Sequence, residues 1–253
     1  MDCRARMRAT PRSRSNVGGR RCARIAGLLL ALLPGMAAAA GVRISPAIVQ
    51  IAPGAQTTEI WLSNTQDRPW QAQARLYRWD QAEGMDRLQA TDDVQPSPRL
   101  IDIPAQGRQL LRVVRTGPAA TDREIAYRLV LEERAAAATG PADPRLLLRY
   151  STPVFLVPPG AAPAAALSVS LVAGAYGHEL QVRNRGTAHA RLSDLSFIGA
   201  DGRLLTLFHN LAGYVLAGER KRWPLPAEVG TARGGHFAAR LDSQTELQPL
   251  LAE

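Results

Sequence analysis

The sequence predicts an all-β fold of two sandwich domains. Three observations carry that prediction. Short runs with a period of two recur along the chain, Gly and Pro clusters separate them, and helical periodicity is weak throughout. Once a leader of 40 residues is set aside, about 213 of the 253 residues remain, which suits two domains of roughly 100 residues, each able to bury a core.

Residues 1–40 read as a signal peptide. A basic stretch containing Arg4, Arg6, Arg8, Arg12, Arg14, Arg20, Arg21 and Arg24 precedes the apolar run Ile25 to Leu33. The small residues Ala37 to Ala40 then form an Ala-x-Ala site, with cleavage after Ala40. Met7 is an alternative start, and the apolar run is too short to span a bilayer. The leader holds eight of the 31 basic residues and one of the 22 acidic ones, so residues 41–253 carry 23 against 21, a net charge of +2. The high overall charge therefore implies no nucleic-acid partner. Cys3 and Cys22 also lie in the leader, so the exported chain is held by its cores without disulfides.

The first domain is expected over residues 41–158. Val42 to Ile51 alternates raggedly around Ser45-Pro46, as an edge strand does. Thr57 to Asn64 and Trp70 to Trp79 alternate more cleanly. Asp80 to Asp93 is polar and irregular and reads as a surface connection. Arg99 to Ile103, Gln109 to Arg115 and Glu124 to Glu133 come next, with Pro104-Ala105-Gln106-Gly107 as a turn. These six strands precede a seventh, Leu146 to Val157, and seven short strands are an immunoglobulin-like count. Arg134 to Pro144 reads as a loop beside it, and Pro158 to Pro163 as a semi-rigid linker. The second domain, 159–253, is expected to hold strands at Leu167 to Ala173, His178 to Asn184, Ala188 to Phe197, Arg203 to Phe208 and Gly235 to Asp242. Ala200-Asp201-Gly202 is a hairpin signal.

The seventh strand organises the chain. A period of two puts Leu146, Leu148, Tyr150, Thr152, Val154 and Leu156 on one face, and Leu147, Arg149, Ser151, Phe155 and Val157 on the other. Both faces are largely apolar, so the strand needs cover on two sides. It is either a central strand of its own sheet or an edge offered to another protein. Pro153, which cannot donate to a ladder, favours the edge.

No catalytic constellation is visible. The sequence lacks a Gly-x-Ser-x-Gly elbow and a phosphate-cradling glycine loop, and has no cysteine after the leader. His178, His189, His209 and His236 lack metal-ligand spacing. No metal, no cofactor and no enzymatic activity are expected. Arg128 and Arg149 could together hold a carboxylate if sheet pairing joins them, or each could pair with a glutamate such as Glu132 or Glu133 or simply be solvated.

Several segments resemble the periplasmic pilus (fimbrial) assembly chaperones, most of all the branch serving archaic or spore-coat-like fimbriae. They are Ile44-Ser45-Pro46, Leu62-Ser63-Asn64, Pro104-Ala105-Gln106-Gly107 with Leu111-Arg112-Val113, and Ile125 to Glu133. Arg149 to Phe155, Val182 to Ala190 and Gly213 to Gly218 continue the pattern. The resemblance implies two immunoglobulin-like domains in an L, periplasmic localisation, capture of pilin subunits without ATP, and delivery to an outer-membrane usher. It implies that the seventh strand completes a subunit that lacks one strand. The donor residues would be Leu146, Leu148 and Tyr150, with Leu147 if the register slips by one, and Thr152 continuing the strand. Many members grip the subunit's C-terminal carboxylate with two basic residues. The corresponding positions here are Ile48 and Val154, so Arg128 and Arg149 stand as substitutes. The exposed strand would also permit self-association. A pilin-like structural or adhesive surface protein is the alternative.

Overall fold

The computed structural model describes residues 41–134 and 147–253. Leu146 and most of the expected loop from Arg134 to Pro144 lie outside the described residues.

Ten strands form the first sandwich: β1 (Val42–Ser45), β2 (Val49–Ile51), β3 (Thr57–Asn64), β4 (Trp70–Ala82), β5 (Met85–Ala90), β6 (Val94–Ser97), β7 (Leu100–Ile103), β8 (Arg108–Arg115), β9 (Ile125–Glu133) and β10 (Arg149–Leu156). One sheet runs β1-β3-β8-β6. The other runs β2-β10-β9-β4-β5, with β7 also paired to β4. The break at Ser45-Pro46 has a topological meaning. β1 pairs antiparallel with β3, whereas β2 crosses to the opposite sheet and pairs parallel with β10. Between the sheets lie the even residues Trp70 to Leu76 of β4, the odd residues Tyr127 to Leu131 of β9, and Val154 and Leu156 of β10.

The expected surface connection at Asp80 to Asp93 is instead a hairpin. β4 continues through Ala82, and Glu83 and Gly84, both at positive φ, turn the chain into β5. Every β5 residue is exposed, so no apolar alternation marks the strand.

Seven more strands and one helical turn complete the chain: β11 (Leu167–Gly174), β12 (Gly177–Asn184), β13 (Ala190–Ile198), β14 (Leu204–Val215), β15 (Arg220–Pro224), α1 (Ala227–Gly230), β16 (His236–Leu241) and β17 (Gln248–Pro249). They form the sheets β11-β12-β15 and β14-β13-β16-β17, packed over a second core. β14 is longer than its sequence suggests because bulges interrupt its register with β13, with Asp194 and Asn210 at positive φ.

The two sandwiches repeat one staple. Asn64, at the end of β3, accepts a hydrogen bond from the Gln66 backbone N–H and donates to the carbonyls of Arg68, Ile103 and Pro104. Asn184, at the end of β12, accepts from the N–H groups of Ala166 and Gly186 and donates to the carbonyls of Ala188 and Val215. Both amides are buried, and each satisfies backbone groups that a strand-to-loop exit would otherwise strand.

A third apolar cluster joins the sandwiches. Trp79, Ala126 and Phe155 from the outer face of the first sandwich meet Tyr214 and Leu216 of the second. The His189 ring stacks on Phe155 at 3.6 Å and 4°, and its Nδ1 lies 2.7 Å from a Glu124 carboxylate oxygen.

Candidate functional site: the half-open edge of β10

β10 pairs with β9 along its whole length, Arg149 opposite Glu132 through Leu156 opposite Ile125. Its other edge meets β2 only at Val154, Phe155 and Leu156. Among the described residues no strand covers Arg149 to Pro153 on that side.

Two hydrogen bonds determine which backbone groups are left open. The Leu148 carbonyl accepts from the Glu133 N–H at 2.9 Å, so even residues of the strand address β9. The Val157 N–H donates to the Ile51 carbonyl at 3.0 Å, so odd residues address the β2 side. Because the peptide groups alternate, the N–H and C=O of Arg149 and Ser151 and the C=O of Pro153 face the open edge. Proline lacks the N–H, and it stands where β2 ceases to cover the strand.

The candidate donor side chains divide. Leu147 and Leu148 are 47% and 39% exposed, large apolar groups left in water just before β10. Leu146 lies outside the described residues. Tyr150 is half-buried, its ring 6.0 Å from Trp70 in an edge-to-face contact, and its hydroxyl accepts from the Val42 N–H at 3.4 Å. Thr152 is buried, on the face of β10 that turns to its own sandwich. Tyr150, Val154 and Leu156 on the even face of β10 lie over its own opposite sheet, and β2 seals the edge only from Val154 to Leu156.

The outer face of the second sheet, leading from this strand to the junction, carries Arg128 and Arg149. They are not brought together. Arg149 is opposite Glu132 and Arg128 opposite Pro153, so about 13 Å of strand separates their backbones, and their guanidinium groups turn to different partners. Arg149 pairs with Glu132 at 3.5 Å, and Arg75 approaches the same carboxylate at 4.0 Å. Arg128 differs: its guanidinium lies 3.7 Å from the centre of the Trp79 ring and 5.4 Å from that of Tyr214. Among the described residues it has no hydrogen bond or ion pair. Burial pulls its pKa below the ordinary arginine value, yet arginine stays cationic at neutral pH. It is a half-buried cation stacked on aromatic rings with its N–H groups unspent.

Of the two positions without the usual basic residue, Val154 is fully buried in the first core, and Ile48 packs against the junction cluster. Ile48 also lines an open cleft of about 660 Å³ between the sandwiches, with Gln50, His189, Arg191 and Asp242. Among the described residues no group of three His, Cys, Asp or Glu side chains could hold a metal ion, and no helix is long and apolar enough to cross a membrane.

Residues 41–162 match the family model for the pili and flagellar-assembly chaperone, PapD N-terminal domain. No curated protein matches the chain. Solved structures share the fold. One is the CsuC–CsuE chaperone–tip adhesion subunit pre-assembly complex from archaic chaperone-usher Csu pili of Acinetobacter baumannii, with 22% identity, 83% of this chain and 97% of that chain covered, and a TM-score of 0.66. The E. coli chaperone DraB has 18% identity, 85% and 96% coverage, and a TM-score of 0.58. The Salmonella enterica SafA pilin–SafB chaperone complex has 18% identity, 83% and 95% coverage, and a TM-score of 0.58. Residues 41–162 therefore form an N-terminal domain of the PapD type found in pili and flagellar-assembly chaperones.

Proposed function

We propose that this protein is a periplasmic chaperone that captures unfinished pilin subunits, lends them a β-strand, and delivers them to an outer-membrane usher for fimbria assembly. The observation that carries the reading is the half-open edge of β10. Unpaired backbone groups at Arg149, Ser151 and Pro153 adjoin the exposed Leu147 and Leu148. A subunit lacking one strand of its sandwich needs both a ladder partner and apolar side chains to fill its groove. The leader, Met1 to Ala40, supports export.

Ladder bonds contribute about 0.5–1.5 kcal/mol each, and association costs on the order of 4–15 kcal/mol. Binding of that balance is tight and reversible and needs no ATP or cofactor. Leu146, Leu148 and Tyr150 are the donor side chains, with Leu147 in their place if the register slips by one, and Thr152 continues the strand. Arg128, with its N–H groups unspent over Trp79, is the anchor for a subunit carboxylate. Arg149 serves the same partner only after giving up Glu132.

Co-expression with a pilin subunit in the periplasm tests the reading. A soluble one-to-one complex, with the subunit degraded or aggregated when the chaperone is absent, is the expected result. A subunit that stays soluble alone and never co-purifies would overturn it.

A further inference from the structure

The β4–β5 hairpin reaches past its own sandwich, and one side chain at its neck is built into the other. Gln81 is 1% exposed. Its amide nitrogen donates to the Tyr214 carbonyl at 2.7 Å and to an Asp86 carboxylate oxygen at 2.9 Å. Its amide oxygen accepts from the Leu216 N–H at 3.0 Å. A side-chain amide offering N–H to one backbone carbonyl and C=O to the N–H two residues on does what the peptide group of a neighbouring strand would do. Gln81 thus acts as one added strand residue at the end of β14.

Around it the hairpin is fastened at further points. The Arg222 N–H donates to the Gly84 carbonyl at 3.0 Å. The ammonium of Lys221 bonds Asp86, and the Trp79 indole N–H donates to Asp86 at 3.0 Å. The same Trp79 ring carries Arg128 on its face. A continuous set of contacts therefore runs from the cation on the outer face of the first sandwich to the backbone of the second.

We infer that Gln81 is a positioning residue: it fixes the second sandwich against the first and so holds Arg128 and the open edge of β10 in the arrangement that receives a subunit. The inference rests on the capture function proposed above. A freely turning second sandwich would leave only a fraction of molecules competent, and apparent affinity falls by that fraction.

Two variants test it. Gln81→Met removes every hydrogen bond at similar volume. Gln81→Glu keeps the acceptor for Leu216 and loses the donors to Tyr214 and Asp86. For both, small-angle scattering should report a broadened distribution of inter-sandwich distances while far-ultraviolet circular dichroism stays unchanged. Subunit affinity should fall by roughly tenfold if the competent arrangement drops to about a tenth of the population. Leu148→Asp is the control that should lose capture with an unaltered scattering profile. If the wild type and both Gln81 variants scatter alike and bind alike, Gln81 has no positioning role. If the wild type itself fails to bind subunit, the capture function falls, and scattering alone decides whether Gln81 orients the sandwiches.

Discussion

Replacing Leu148 with aspartate probes the lent strand directly. Leu148 is 39% exposed in the free protein, so about two-fifths of its apolar surface remains to be buried on capture. Full burial of a leucine is worth about 1.5–3 kcal/mol, and two-fifths of that is roughly 0.6–1.2 kcal/mol. Aspartate forfeits this and also places a polar group in an apolar groove without a partner, at about 1–3 kcal/mol more. The combined loss, about 2–4 kcal/mol, corresponds to a roughly 30- to 700-fold weaker complex. Leu147 points to the opposite side of the strand, and Leu147→Asp should cost under about tenfold in the expected register. The assay is a titration of purified, strand-deficient subunit against each variant, with circular dichroism checking that the fold persists. Affinity within threefold of wild type for both variants would refute the insertion of this stretch.

Single contacts carry the other predictions. Arg128→Ala should shift the fluorescence of Trp79 and weaken subunit binding, whereas Arg149→Ala, which breaks only an exposed pair with Glu132, should change affinity by less than about threefold. Asn184→Ala removes an amide that satisfies four backbone groups and should destabilise the second sandwich by about 2–4 kcal/mol in chemical denaturation. Phe155→Ala, which empties the centre of the junction beneath His189, should cost about 3–5 kcal/mol by the same measurement. At Asp86, burial pushes the carboxyl pKa up, but hydrogen bonds from Lys221, Gln81 and Trp79 outweigh it and hold the group below the usual carboxylate range. A depressed carboxylate pKa adds stability that is present above the unfolded value and is lost as pH falls through the folded one. The junction should therefore loosen below about pH 4, seen as broadened inter-sandwich distances in scattering.

Much of the fold is written in local chemistry. Ala200-Asp201-Gly202 announces the β13–β14 hairpin because Gly202 takes the positive φ that such a turn demands. The alternation of Trp70, Ala72, Ala74 and Leu76 marks the buried side of β4. What escapes the sequence depends on which surface ends up opposite which. β5 has neither alternation nor burial, and only pairing with the far end of β4 makes it a strand. Gln81 looks like one more polar residue in a polar stretch, and nothing local announces its hydrogen bonds to the backbone of the second sandwich. The period of two assigns Thr152 to the face of Leu148 correctly, but it cannot say whose core that face meets. Pairing with β9 decides that, because it sets Thr152 beside Leu129 of the first core. Pairing of Arg149 with Glu132 is one of the readings open from residue types, and the antiparallel register of β9 and β10 brings the two side by side.

The central claim is that the open edge of β10 is completed by a partner, and amide hydrogen exchange followed by NMR tests it residue by residue. In the free protein the N–H groups of Tyr150 and Thr152, bonded to β9, should exchange slowly, while those of Arg149 and Ser151 should exchange fast. On binding a pilin subunit, Arg149 and Ser151 should become protected and the even residues should change little. Protection of Arg149 and Ser151 in the free monomer, or continued fast exchange at both in the complex, would contradict the account.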